Sequence, residues 1–205
     1  MALPVSFRDL LDELDDEHLA PAAAHALLEF GRAAPEFLCN HVETIRTLLS
    51  SSDESIVACG LAMFSRIAIL EPNVIWRYKT PIIKHFEQGT GDVQEAALMT
   101  LAVLAASTPT RRNHLSPMLV EALRTCRTND LPRWTQRVIP ALSGRGRAEA
   151  AEVLSGRIAE LDREARSRIV PVLKKYYWSS SLAIFPGIMI ESASAANTRR
   201  SDSVA

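Results

Sequence analysis

The chain has 205 residues, 47 % of them hydrophobic, with 23 basic against 24 acidic side chains, and a chain of this size buries about 70 % of its extended surface on folding. Cys39, Cys59 and Cys126 stand far apart with no C-x-x-C pair, which argues against a disulfide framework or a metal or redox site and suits buried thiols in a reducing compartment. No run of 18 apolar residues is present, and the early acids Asp9, Asp12 and Glu13 are unlike a secretory leader. The expectation is a cytoplasmic protein with no membrane span.

The near-neutral total hides an asymmetry. Residues 1–54 carry 3 basic and 11 acidic side chains, residues 55–105 carry 4 of each, and residues 106–178 carry 14 and 7. The early part of the chain should attract cations and the late part anions.

In chain order, the first expected element is a short helix over Ser6 to Asp15, with Phe7, Leu10, Leu11 and Leu14 at helical spacing. A helix face follows in Leu19, Ala22, Ala23, Ala26, Leu27 and Phe30. Pro35 to Leu49 reads as one amphipathic helix, and the stretch Ser50 to Ser55 as its stop and the cap of the next. The same face then returns in Ile56, Cys59, Gly60, Met63, Phe64 and Ile67.

Another pair is expected from about Val74 to Glu87 and from Asp92 to Ala106, divided by Gly89, Thr90 and Gly91; its face is Val93, Ala96, Ala97, Thr100, Leu101 and Leu104. A helix from Arg111 to Arg127 leads to the fourth face, Leu131, Trp134, Thr135, Val138, Ile139 and Leu142. Pro81 and Pro117 fall inside expected helices, where a kink is predicted. Arg147 to Leu161 and Arg163 to Tyr177 complete the helices. Residues 179–205 read as a mostly disordered tail with a short apolar segment at 182–190.

The four faces start at residues 19, 56, 93 and 131, a period of 37 or 38 residues. A fixed period in this range is the signature of stacked helical units, none of which can bury its apolar face alone. Asp92-Val93-Gln94-Glu95-Ala96-Ala97-Leu98-Met99-Thr100-Leu101, together with Leu19 to Phe30, resembles the second helix of a HEAT repeat. Val57, Gln94 and Pro132 depart from the arginine usual in that family, and Trp134 stands where a small residue is usual. The resemblance implies an all-α fold, an α-α superhelix or HEAT-like (HEAT/armadillo) solenoid of about five helix pairs over residues 1–178. It implies an interaction scaffold more often than an enzyme, although a DNA glycosylase and bilin lyase relatives share the architecture.

No catalytic constellation emerges from the residues. His18, His25, His41, His85 and His114 are scattered, with no partner at metal-ligand spacing, and no P-loop, G-x-G-x-x-G or G-x-S-x-G occurs. The run Asp12, Glu13, Asp15, Asp16, Glu17 lacks the glycine of a calcium loop and reads as a solvated cap. No cofactor and no metal is expected, and the chain is read as non-enzymatic.

Two surfaces stand out as binding candidates. Between the core positions of the second and third faces lie Val57, Leu61, Leu98, Met99 and Val103, apolar where solvent is expected, which suggests a concave groove for a protein partner or else burial under neighbouring helices. Arg133, Arg137, Arg163 and Arg166 form a second candidate, for an acidic partner segment or, alternatively, for nucleic acid.

Overall fold

Residues 6–177 are described by a computed structural model; the tail 179–205 and its segment 182–190 lie outside the described residues. The chain forms two compact units that divide between Arg112 and Asn113.

Ser6 opens the first unit with a reciprocal cap. Its hydroxyl accepts from the Asp9 N–H at 3.1 Å, and the Asp9 carboxylate accepts from the Ser6 N–H at 3.0 Å, so the start of α1 (Phe7–Asp12) leaves fewer donors unpaired. A 3-10 turn over Glu13–Asp15 leads to α2 (Ala20–Ala33). Two triplets of helices follow: α3 (Pro35–Cys39), α4 (Val42–Leu48) and α5 (Glu54–Leu70), then α6 (Pro72–Trp76), α7 (Lys79–Gln88) and α8 (Gly91–Ser107). Each triplet runs short, medium, long. The first residues of α9 (Pro109–Thr125) close the unit.

The single helix expected over Pro35 to Leu49 is therefore two, as is the one expected from Val74. Asn40 and His41, both weak helix formers, separate α3 from α4. Pro81 separates α6 from α7. It has no N–H for the Arg77 carbonyl, so one continuous helix would lose a hydrogen bond here; the chain instead turns at Arg77 and Tyr78 and restarts at Lys79. The expected kink is absent because Pro81 occupies the first turn of α7, where its missing N–H would be unpaired in any case. Gly91 turns the chain into α8 at φ 51°, a left-handed conformation that favours glycine.

The second and third repeated faces are buried along their length, Cys59 being half-buried. In the first face the register moves by one residue. Ala20, Ala23, Ala24, Leu27, Leu28 and Gly31 are inside, while Leu19 is 46 % exposed and Ala22 and His25 face water. No long helix precedes α2 among the described residues to cover that side.

The long helices α5 and α8 pack against each other along their length. Thr100, fully buried, donates its hydroxyl to the Leu61 carbonyl across this interface and to the Ala96 carbonyl in its own helix, each at 2.8 Å. Gly60 lets α4 approach α5, since a Cβ there would lie 3.0 Å from the Cβ of Leu48. With α2, α3, α4 and α6 also against α5, and α6 and α7 against α8, these two helices are covered on several sides. Val57, Leu61 and Leu98 are buried as a result.

In the second unit, α9 continues through Pro117 and is followed by α10 (Leu131–Ala141), α11 (Gly144–Arg157), a 3-10 turn over Ile158–Glu160 and α12 (Arg163–Tyr176). Here the first helices are unbroken, so the repeat is a helix pair as expected. α10 packs on α12, and the fourth face from Leu131 to Leu142 is buried. Arg157 donates to the Leu123 carbonyl at 2.8 Å and to the Cys126 sulfur at 3.3 Å, which closes the end of α9. The Tyr177 hydroxyl donates to the Arg147 carbonyl at 2.7 Å and ties the end of α12 to α11. Burial holds the Tyr177 phenol well above the usual tyrosine range.

Leu61→Ala should lower the stability of the chain by about 2–5 kcal/mol, because a fully buried leucine leaves a cavity that its neighbours fill only in part. Urea denaturation checks this. A loss below about 0.5 kcal/mol, the range of an exposed site, would place Leu61 on the surface instead.

Candidate functional site

An open groove of about 1180 Å³ lies on the N-terminal side of the first unit. One wall is α1, which contributes Phe7, Arg8, Leu11 and Asp12, with Leu14 from the turn that follows; four of these recur at the spacing of one helix face. The opposite wall is α4 with the residue before it, through His41, Thr44, Thr47 and Leu48. Ser51, Ser52 and Asp53 close one end, and Glu17, His18, Ala20 and Ile56 complete the lining.

The apolar part of this lining comes in two grades. Leu48 and Ile56 belong to the core, whereas Phe7, Leu11 and Leu14 are half-buried and keep a face toward the groove. Phe7 is clamped by three rings: its centroid is 5.1 Å from Phe30, 6.2 Å from Phe37 and 5.0 Å from His41. Phe30 and Phe37 meet edge-to-face at 5.5 Å, and Phe37 is 49 % exposed. This cluster holds the start of α1 on α2 and α3. The later part of α1 is held by Leu10, its buried residue.

Charge on the groove is mainly negative. Asp12, Glu17 and Asp53 line it against the lone Arg8. Asp53 is also the cap of α5: its carboxylate accepts from the Ser55 N–H at 2.7 Å and from the Ser55 hydroxyl at 2.6 Å. Those hydrogen bonds hold the Asp53 carboxyl below its usual range.

The residues singled out in the sequence fall elsewhere. Val57, Leu61 and Leu98 are in the core and are closed to a partner, which corrects the expectation of an open apolar groove there; α5 and α8 are apolar around their circumference because helices cover them on several sides. Met99 and Val103 are half-buried. The structure does not bring the four arginines together as a free row. Arg133 pairs with Asp130 at 3.3 Å, and Arg166, half-buried, donates its Nε to the Leu161 carbonyl at 2.8 Å. Arg137 and Arg163 are exposed.

A smaller recess of about 450 Å³ lies beside Arg133 in the second unit, with Asn129, Asp130, Gln136 and Arg168 around it. Arg168 pairs with Glu164, one turn back on α12. In the first unit, Arg111 stacks 5.0 Å from the Trp76 ring. Arg147 donates to the Leu142 carbonyl and lies 5.1 Å from the Tyr176 ring in the second. These guanidinium groups act mainly as helix ties. Leu11, Leu14 and Thr47 were missed in the sequence as groove residues, because only the packing of α1 opens the groove; Arg168 was missed beside Arg133, because only the packing of α12 on α10 brings it there.

Neither a family model nor a curated protein matches the sequence. Among solved structures, the designed armadillo repeat protein YIII(Dq)4CqI is similar to this chain, with a TM-score of 0.51 and 16 % identity over 88 % of this chain and 95 % of that one. The likeness shows the fold alone: an all-α, HEAT/armadillo-like helical repeat of the solenoid class.

Asp53→Ala should lower the thermal midpoint at pH 7, because α5 loses its cap. The depressed carboxyl favours the fold above the ordinary aspartate range, and that contribution is lost as pH falls through the folded-state value. The midpoints of wild type and variant should therefore converge on acidification. A gap that persists unchanged at low pH would show that the charge of Asp53 is not what stabilises α5.

Proposed function

We propose that this chain is a non-enzymatic adaptor that holds a protein partner in the groove between α1 and α4. The observation that supports the reading is the half-buried row of Phe7, Leu11 and Leu14 beside the buried Leu48 and Ile56, in a groove of about 1180 Å³. Small-molecule pockets run to roughly 1,000 Å³ at most and enclose their ligand, so an open trough of this size suits a segment of polypeptide. An armadillo-like repeat fold is commonly a protein-binding scaffold, which agrees with this use of the surface.

The nucleic-acid alternative has weaker support. Arg124, Arg133, Arg145 and Arg168 each meet a carboxylate one turn away, so these four guanidinium groups already have anionic partners that a phosphate backbone would have to displace.

Selection of binders to the full chain from a random peptide library, followed by residue-resolved chemical-shift mapping, tests the proposal. Selected peptides should perturb Thr44, Thr47, Ser51 and Ser52 and should lose binding to Leu14→Arg, a half-buried position whose variant keeps the helical circular dichroism of the wild type. Selected peptides that perturb only residues outside the groove, or that bind Leu14→Arg as well as wild type, would count against it.

A further inference from the structure

We propose that the groove is the seat of one kind of segment: a basic amphipathic α-helix of a partner protein, with large apolar residues on one face and lysine or arginine along its flanks. This rests on the reading of the groove as a docking site and names what occupies it.

The helical form follows from the next seam of the same unit. There, residues of α3 and α4 face Val74 of α6 and the joining residues Arg77 and Tyr78 across a recess of only about 290 Å³, and the Tyr78 hydroxyl donates to the Glu43 carboxylate across it. In the groove, α4 faces only the six-residue α1 and a 3-10 turn, and about 1180 Å³ stays open. What the groove lacks is another helix, and side-chain ridges on α4 and α1 can take one by the packing that joins helices elsewhere.

An extended peptide is a poorer fit. It brings unpaired N–H and C=O groups that need partners, while both walls are helices with their own backbone bonds made internally. The lining contains no asparagine or glutamine to supply such partners; apart from its carboxylates and Arg8, its polar side chains are the hydroxyls of Thr44, Thr47, Ser51 and Ser52 and two histidines. A helix arrives with its backbone already paired.

The charge of the occupant follows from Asp12, Glu17 and Asp53, set against Arg8 alone, in a region of the chain with 11 acids and 3 bases over its first 54 residues. Ser55 hydrogen bonds favour the ionised form of the Asp53 carboxylate. A partner helix with lysines beside its apolar stripe meets these groups, and one with glutamates is repelled.

The test uses the full chain and three synthetic peptides of 16 residues, a length of about four turns. One carries leucines at helical spacing with flanking lysines, the second has every lysine changed to glutamate, and the third keeps the lysines but has two central prolines. Fluorescence anisotropy should show the lysine peptide binding at least about ten-fold more tightly than either of the others. Its binding should weaken with added salt and in the doubly substituted Asp12→Asn, Glu17→Gln protein, with shifts at Thr44, Thr47, Ser51 and Ser52.

Equal binding of the glutamate or proline peptide in the groove would overturn the basic-helix proposal and leave the groove as a docking site. Binding of the lysine peptide with no shift in the groove would overturn the proposal as well. If none of the three shifts a groove residue, both the proposal and the docking reading on which it rests fail.

Discussion

A helix that is apolar around most of its circumference has to be covered on more than one side, and α5 and α8 impose this on everything around them. Each places one face on its partner, with Leu61, Phe64, Leu98 and Leu101 fully buried. Their close contact is tied by Thr100, whose hydroxyl reaches the Leu61 carbonyl. The remaining faces are covered by α2, which packs on α5, and by the shorter α3, α4, α6 and α7. Buried leucines of this kind each contribute roughly 1.5–3 kcal/mol, which far exceeds the surface ion pairs, worth about 0–1 kcal/mol apiece.

The groove is a consequence of the same constraint at the N-terminal side of the first unit. There α2 needs cover on one side only, its other side carrying Ala22 and His25 to water. The six-residue α1 can lie on α2 without reaching α4 along its length, so Leu11 and Leu14 stay half-open. Acidic residues surround this opening, and the arginines of the second unit are mostly spent on caps and neighbouring carboxylates. The concentration of usable charge and open apolar surface in one place separates this groove from the other recesses.

Much of the fold was legible because burial is periodic. Three of the four repeated faces are inside as read, down to the buried Thr100 and Thr135, and the fold class follows from them. The first face slipped by one residue because Ala20, Ala22, Ala23, Ala24 and Ala26 present the same small side chain on every side, so spacing alone does not pick the inward one. The breaks at Asn40 and Tyr78 were hidden by apolar spacing that continues across them. The site was less legible. Val57, Leu61 and Leu98 look unpartnered in a linear reading, and only the cover supplied by helices distant in sequence makes them core. Conversely, Leu11 and Leu14 look like ordinary core positions of a first helix, and what exposes them is how short that helix is.

Residue-resolved amide hydrogen exchange on the full chain tests the central claim most directly, since it reports how firmly each helix is covered. The account requires the amides of Leu61 and Phe64 in α5 and of Leu98 and Leu101 in α8 to be the slowest of the first unit, with those of Leu10 and Leu11 in α1 exchanging orders of magnitude faster. Protection of α1 equal to that of α5 and α8 would contradict it, because a firmly held α1 would mean that the groove is already closed by the chain itself.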